Sequence, residues 1–270
     1  MTIATNLKRF LIAVIAISVI FIGYIGFTAS QAQAYTSLAN LSSGDLIRGQ
    51  TFSAVYYYGA DGQRYVFPNM KTYETWYSNF DDVKWLTDAD LAKIQIGGNV
   101  TYKPGVKMIK INTDPKTYAV AAGGTLRHVT SEAIAIELYG SNWNQQIHDM
   151  PDGFFSNYNV GTAINSASDY NKTSEMTIAS INVDKGLKTP AAITINSSGY
   201  SPIDVTVTAG SSVRFTNGDT AKHTVTGDDL SWGSGTINSG ESFIKTFDEA
   251  GIYGFFDSYD GSNTGAVYVE

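Results

Sequence analysis

The chain has no cysteine among its 270 residues. That removes disulfides as a source of stability, thiolates as nucleophiles or metal ligands, and any cysteine-linked lipid anchor. Histidine is scarce too, at three residues, so hydrolytic or redox catalysis has few candidate groups. Basic residues number 18 against 25 acidic ones, and the formal net charge is −7. With no basic cluster, that balance argues against nucleic acid and anionic lipid surfaces as partners. Also absent are a Gly-x-Ser-x-Gly elbow, a His-Glu-x-x-His pair, a phosphate loop and a dinucleotide fingerprint. A chain with these gaps is expected not to be an enzyme.

What is present begins with Lys8-Arg9, an apolar run from Phe10 to Phe27 and an Ala32-Gln-Ala34 ending. Basic flank, apolar middle and small-residue end describe an export signal over residues 1–34, cleaved before Tyr35. Left uncleaved, the run is just long enough to anchor the chain in a bilayer. Cleavage would remove Lys8 and Arg9 but no acidic residue, taking the formal charge from −7 to −9. The expected location is extracellular or at the cell surface. An exported chain without disulfides suits a bacterial envelope better than an animal secretory route. Asn-x-Ser/Thr triplets start at Asn40, Asn99, Asn171 and Asn196, and chance accounts for them in a chain this rich in such residues.

Residues 35–165 read as an α+β domain holding one pattern twice. Asp61-Gly62 between two apolar-aromatic runs signals a hairpin, and Gly123-Gly124 a second turn. Asn69, Thr87 and Thr130 or Ser131 are placed to cap helices, and Pro151 starts another short one. The four-residue spacings Asp61 to Tyr65 and Asp114 to Tyr118 suggest a period near fifty residues. Tyr65 to Pro68, Gly97 to Tyr102 and Leu126 to Glu132 resemble segments of a repeat in exported proteins of candidate-phylum bacteria. That likeness bears on location and carries no activity. In the run Tyr56-Tyr57-Tyr58, strand alternation is expected to turn at least one ring away from the core, where it would suit an envelope glycan or a surface protein. Residues 166–190 are polar and read as a linker, with Met176 to Val183 alternating like an added strand.

Residues 191–270 alternate in short runs split by Gly, Pro, Asn and Asp clusters, as half-buried antiparallel strands do. Tyr200-Ser-Pro202, Val205-Thr-Val207, Val213 to Asn217 with Asp219, His223-Thr-Val-Thr226, Gly251-Ile-Tyr253 and Gly265 to Val269 follow one another in the order of a plastocyanin- or azurin-type domain. This stretch resembles a cupredoxin, which implies an all-β Greek-key sandwich. The resemblance also places His223 at the first copper-binding histidine. The family's remaining ligands lie in a loop Cys-x-x-His-x-x-Met, and the corresponding loop here puts Asp257 at the thiolate, Asp260 at the second histidine and Asn263 at the axial methionine. A blue-copper centre needs a thiolate in its His2Cys plane. With no cysteine, that centre and electron transfer through it are excluded.

Two readings of the loop follow. In the first, the copper site is degenerate, no cofactor is bound, and the domain serves binding or scaffolding, as copper-free ephrins and some plant early nodulins do on this fold. In the second, His223, Asp257, Asp260 and Asn263 hold a metal, copper or a harder divalent ion, one imidazole with carboxylates suiting calcium, manganese or zinc better than Cu(I). Elsewhere, His128 and Glu132 are four apart, but the chain is strand-like at His128, so the spacing does not place them on one helix face. His148-Asp149 is an isolated pair in a polar loop.

Overall fold

Short apolar and aromatic runs form the first strands. The computed structural model describes residues 34–270; residues 1–33, and with them nearly all of the expected export signal, lie outside it. Strands β1 (Leu46–Arg48), β2 (Val55–Tyr58) and β3 (Arg64–Val66) pair antiparallel. Helix α1 (Met70–Trp76) starts at Asn69, whose side chain accepts the Thr72 amide. β4 (Val83–Trp85), α2 (Asp88–Lys93) capped by Thr87, and β5 (Ile96–Asn99) complete a five-stranded sheet in the order β4-β1-β2-β3-β5.

The next stretch is laid out on the same plan. β6 (Met108–Ile111), β7 (Asp114–Ala121), β8 (Thr125–His128), α3 (Glu132–Tyr139), β9 (Ile147–Met150) and β10 (Asn159–Val160) give the order β9-β6-β7-β8-β10. In both sheets the central three strands are antiparallel and the outer two join parallel. Ser131 caps α3, and Gly140 ends it at a φ of 83°, which a side chain would resist. Ile47 faces Tyr56 and Ile109 faces Tyr118, so equivalent positions lie 62 apart rather than about fifty. The shorter spacing came from matching Asp61–Tyr65 with Asp114–Tyr118, which are one hairpin out of step. Each pair makes the same local bond, tyrosine hydroxyl to carboxylate at 2.5 and 2.7 Å, within its own turn.

Both faces of the first sheet are covered. Tyr57, Tyr65, Phe67 and Tyr73 pack on one side, while Tyr56 and Tyr58 lean on Ile47, Leu86, Leu91 and Ile94 on the other. The tyrosines expected to point away from the core therefore support a second one.

Residues 166–190 are folded rather than loose. A 3-10 turn (Ala167–Asp169), α4 (Lys172–Met176) and α5 (Ile181–Lys185) follow in succession. Tyr170 is buried in the core of the second sheet and Ile181 in that of the first. The strand-like alternation before Val183 is broken at Ser180, whose hydroxyl accepts the Val183 amide and starts α5. Asp184 is buried, which raises its pKa, and its carboxylate accepts from Gly123 N at 2.9 Å and Thr101 Oγ1 at 3.3 Å. Among the described residues no helix is long and apolar enough to cross a membrane.

The rest is the all-β sandwich expected after the α+β half. Its strands are β11 (Ala191–Asn196), β12 (Gly199–Ser201), β13 (Asp204–Val207), β14 (Ser211–Asn217), β15 (Thr226–Gly227), β16 (Ser242–Phe247), β17 (Gly251–Phe256) and β18 (Thr264–Val269). The sheets β12-β11-β14-β16 and β13-β18-β17-β15 enclose Ile193, Ile195, Val213, Phe215, Phe255 and Val267.

Because Ile181 fills a core whose other buried residues all precede 101, Ile181→Ala is expected to lower stability by about 2–5 kcal/mol. Urea unfolding checks this; an unchanged midpoint would mean that the segment is only a tether.

Candidate functional site at the closing loop of the sandwich

The site is built from the end of β14 onward. Asn217 is fully buried; its Nδ2 donates to the carbonyls of Ala221 at 2.7 Å and Ile237 at 2.9 Å, and its Oδ1 accepts the Asp219 amide at 2.8 Å. This holds the loop that delivers His223. The histidine backbone then exchanges hydrogen bonds with Ile237, at 2.8 and 3.2 Å. Tyr200 on β12 donates its hydroxyl to Thr224 O at 2.6 Å, and its ring meets Phe255 edge-on. The imidazole thus projects from a backbone fixed on three sides.

Asp257 leaves the end of β17 directly opposite. It is 0% exposed, and His223 7%. Its Oδ2 lies 2.6 Å from His223 Nδ1, while Oδ1 accepts from Thr224 N at 2.9 Å, Thr224 Oγ1 at 3.2 Å and Tyr259 N at 3.0 Å. Asp219 reaches the other ring nitrogen, Nε2, at 3.3 Å. The loop is tied down further by Ser258 N to Thr224 Oγ1 at 2.6 Å and by Thr226 with Ser258 at 2.9 Å.

Burial disfavours the charged imidazole, but the bonds to Asp257 and Asp219 outweigh it and hold the His223 pKa above its ordinary value. Asp219 is held below the usual carboxylate range by the Thr220 amide and by His223. The arrangement is an imidazole clasped between two carboxylates, which favour its charged form. It joins the closing loop to the opposite loop by hydrogen bonds and charge.

The predicted residues divide accordingly. His223 and Asp257 are brought together. Asp260 turns to its own loop, where Oδ1 accepts from Ser262 N at 3.1 Å and Ser262 Oγ at 2.6 Å. Asn263 serves through its backbone, its carbonyl accepting the Asp257 amide at 3.0 Å and its N–H donating to Asp260 O at 2.9 Å. Among the described residues no group of three or more His, Cys, Asp or Glu side chains is arranged to hold a metal ion. Asp219 was not anticipated as a partner; its position four before His223, just after a buried Asn, is the signal that was available. His128 ends β8 beside Tyr118, and Glu132 opens α3, so the two lie on different elements. His148 Nδ1 sits 3.2 Å from Tyr102 Oη, and Asp149 pairs with Lys110 at 3.3 Å.

Two outcomes follow. Asp219 still holds His223 Nε2 when Asp257 is removed, but His223 Nδ1 and the Thr224 and Tyr259 amides lose their acceptor. Asp257→Ala is therefore expected to cost about 1–3 kcal/mol for each buried donor stranded, read by urea unfolding. The folded pKa of His223 lies above its unfolded value of about 6.5. Its stabilisation is therefore complete below that value and is lost as pH rises through the folded pKa. His148, lowered mainly by burial, works the opposite way, so the readout is the difference between wild type and His223→Gln. That difference should shrink as pH rises above about 6.5; a pH-independent difference would mean that the imidazole is neutral in the clasp.

A family model for the cupredoxin-like domain matches residues 171–269. Among solved structures, the chain is similar to a purple cupredoxin from Nitrosopumilus maritimus, at 26% identity over 30% of this chain and 99% of that one, with a TM-score of 0.28. A copper-containing nitrite reductase from Thermus scotoductus matches at 19% identity over 31% of this chain but 23% of the reductase, with a TM-score of 0.29. An amicyanin mutant in its Cu(I) form matches at 22% identity over 30% and 82% of the two chains, with a TM-score of 0.29. No curated protein matches the chain. The C-terminal part of this chain is a cupredoxin-like domain.

Proposed function

We propose that the protein is an exported, non-enzymatic component of the cell envelope or surface, in which the cupredoxin-like domain serves binding or scaffolding without copper. The observation that carries this reading is the 2.6 Å bond between His223 Nδ1 and Asp257 Oδ2. In the family's scheme, the histidine and the thiolate-position residue meet through a metal. Here the two side chains meet each other, and the second carboxylate oxygen is taken by three donors from Thr224 and Tyr259. A donor set of one imidazole and a fully engaged carboxylate, in a chain without cysteine, does not fit a blue-copper ion. What the loop retains is rigidity, which suits a surface that recognises something. An envelope glycan or a surface protein is the partner class we favour, given the apolar leader, the acidic charge and the lack of basic clusters.

The test is co-sedimentation of the chain with envelope fragments of its host, with and without a chelator. Pelleting that survives chelation is expected; pelleting abolished by chelator and restored by one divalent ion would replace this reading with a metal-dependent one. As a second check, Asp257→Cys with Asp260→His and Asn263→Met should gain the intense blue absorption of a copper–thiolate bond, which the wild type should lack. Stoichiometric copper in natively purified wild type would overturn the proposal.

A further inference from the structure

The α+β half and the sandwich enclose a cleft of about 280 Å3. Its walls include Leu38, Leu41, Tyr58, Ile94 and Ile244. On the sandwich side it is entered by Arg214 of β14, which sits across from Ile244 of β16, on the face opposite Val213 and Phe215. The guanidinium is seated against the β2–β3 turn. A Cβ on Gly62 would fall 1.5 Å from Arg214 Nη2, so the bare glycine makes the space that the arginine fills.

Seated as it is, Arg214 is poorly used by the protein. Its hydrogen bond to Asp61 O is 3.5 Å long, at the weak limit. None of the ion pairs among the described residues involves it. The other charges at the cleft are already engaged: Lys93 with Asp90 at 2.9 Å, and Glu241 with the amide and side chain of Asn238 at 2.9 and 2.8 Å. Gln95 accepts the Ile244 amide through Oε1 at 3.1 Å, which leaves its NH2 group as a donor at the rim. Among the described residues, Arg214 is thus a positioned guanidinium without an ion-pair partner, and Gln95 adds an amide donor, in a cleft that Leu38, Leu41 and Tyr58 line beside polar groups.

We propose that this cleft binds a small monocarboxylate with an apolar body, its two oxygens forked on Arg214. The fork of guanidinium donors matches a carboxylate bidentately. Glu241 at the rim repels any anion, a phosphate dianion more than a carboxylate, so the single charge of a carboxylate is the better match for one guanidinium. Leu38, Leu41 and Tyr58 give a short hydrocarbon body something to lie against beside the guanidinium. The chemistry is shared by free aliphatic or aromatic acids and by the C-terminus of a peptide ending in an apolar residue.

Calorimetry on the full chain tests this with N-acetylleucine as the probe. One site per chain is expected, with N-acetylleucinamide and inorganic phosphate at least about 10-fold weaker, the discrimination typical of a charge-assisted pair. Arg214→Met should weaken N-acetylleucine at least about 10-fold, and Arg214→Lys by less. Lys93→Ala should leave it within about 3-fold, because its ammonium is committed to Asp90. A short peptide ending in leucine, run beside N-acetylleucine, separates the two sources: tighter binding of the peptide supports a chain terminus, tighter binding of the acid a free metabolite. Absence of heat with N-acetylleucine, equal binding of the amide, or unchanged binding in Arg214→Met would overturn the proposal. If circular dichroism shows the methionine variant unfolded, Arg214→Lys binding like wild type overturns it instead.

Discussion

The end of the sandwich depends on one buried hydrogen bond, between the imidazole of His223 and the carboxylate of Asp257. Two loops distant in sequence converge there, and each is stiffened from behind by Asn217, Tyr200 and Thr224. Coulomb attraction in a dry environment is strong, but so is the penalty for burying a charge alone. The clasp resolves this by giving the imidazole two carboxylates and giving Asp257 three further donors. What would be a liability singly becomes a fixed joint. It ties the two loops together through protein side chains.

Much of this was legible in the sequence, for reasons that differ by residue. Asn69, Thr87 and Ser131 announced their helices because capping is a local contact between a side chain and an amide two or three residues on. The sandwich strands showed because alternation has a period of two and the turns are punctuated by Gly, Pro, Asn and Asp. His223 facing Asp257 followed from the order of a whole domain rather than from spacing alone. Asp219 did not show, since its bond to Nε2 depends on how a loop is folded back by Asn217. The α4–α5 segment was missed because five-residue helices are too short to display a 3.6-residue period. Only Tyr170, Ile181 and Asp184 in that segment are buried, too few to stand out among polar neighbours. The offset of 62 was hidden by two tyrosine–aspartate turns that look alike for local reasons only.

A second theme is how a turn can be more than a connection. The Asp61-Gly62 hairpin tip carries a charged residue, yet Asp61 is 4% exposed. Its carboxylate takes Tyr65 Oη and Gln63 N, the neighbouring Ala60 amide donates to Asn182 of α5, and Gly62 receives Arg214 from the sandwich. Three parts of the chain thus meet at four residues, which explains why a flexible, side-chain-free position is needed where the hairpin has no intrinsic reason to be crowded.

The seating of Ile181 and Asp184 in the α+β half also fixes where the chain can be divided. A scissile bond placed before Asn171 would send α5 away with the sandwich, leaving an apolar socket open in the first sheet and the Gly123 amide without its acceptor. Nicking between Leu187 and Ala191 would leave both pieces with their own interiors filled. The physical frontier between the halves therefore runs on the sandwich side of α5, and limited proteolysis of the native protein should respect it.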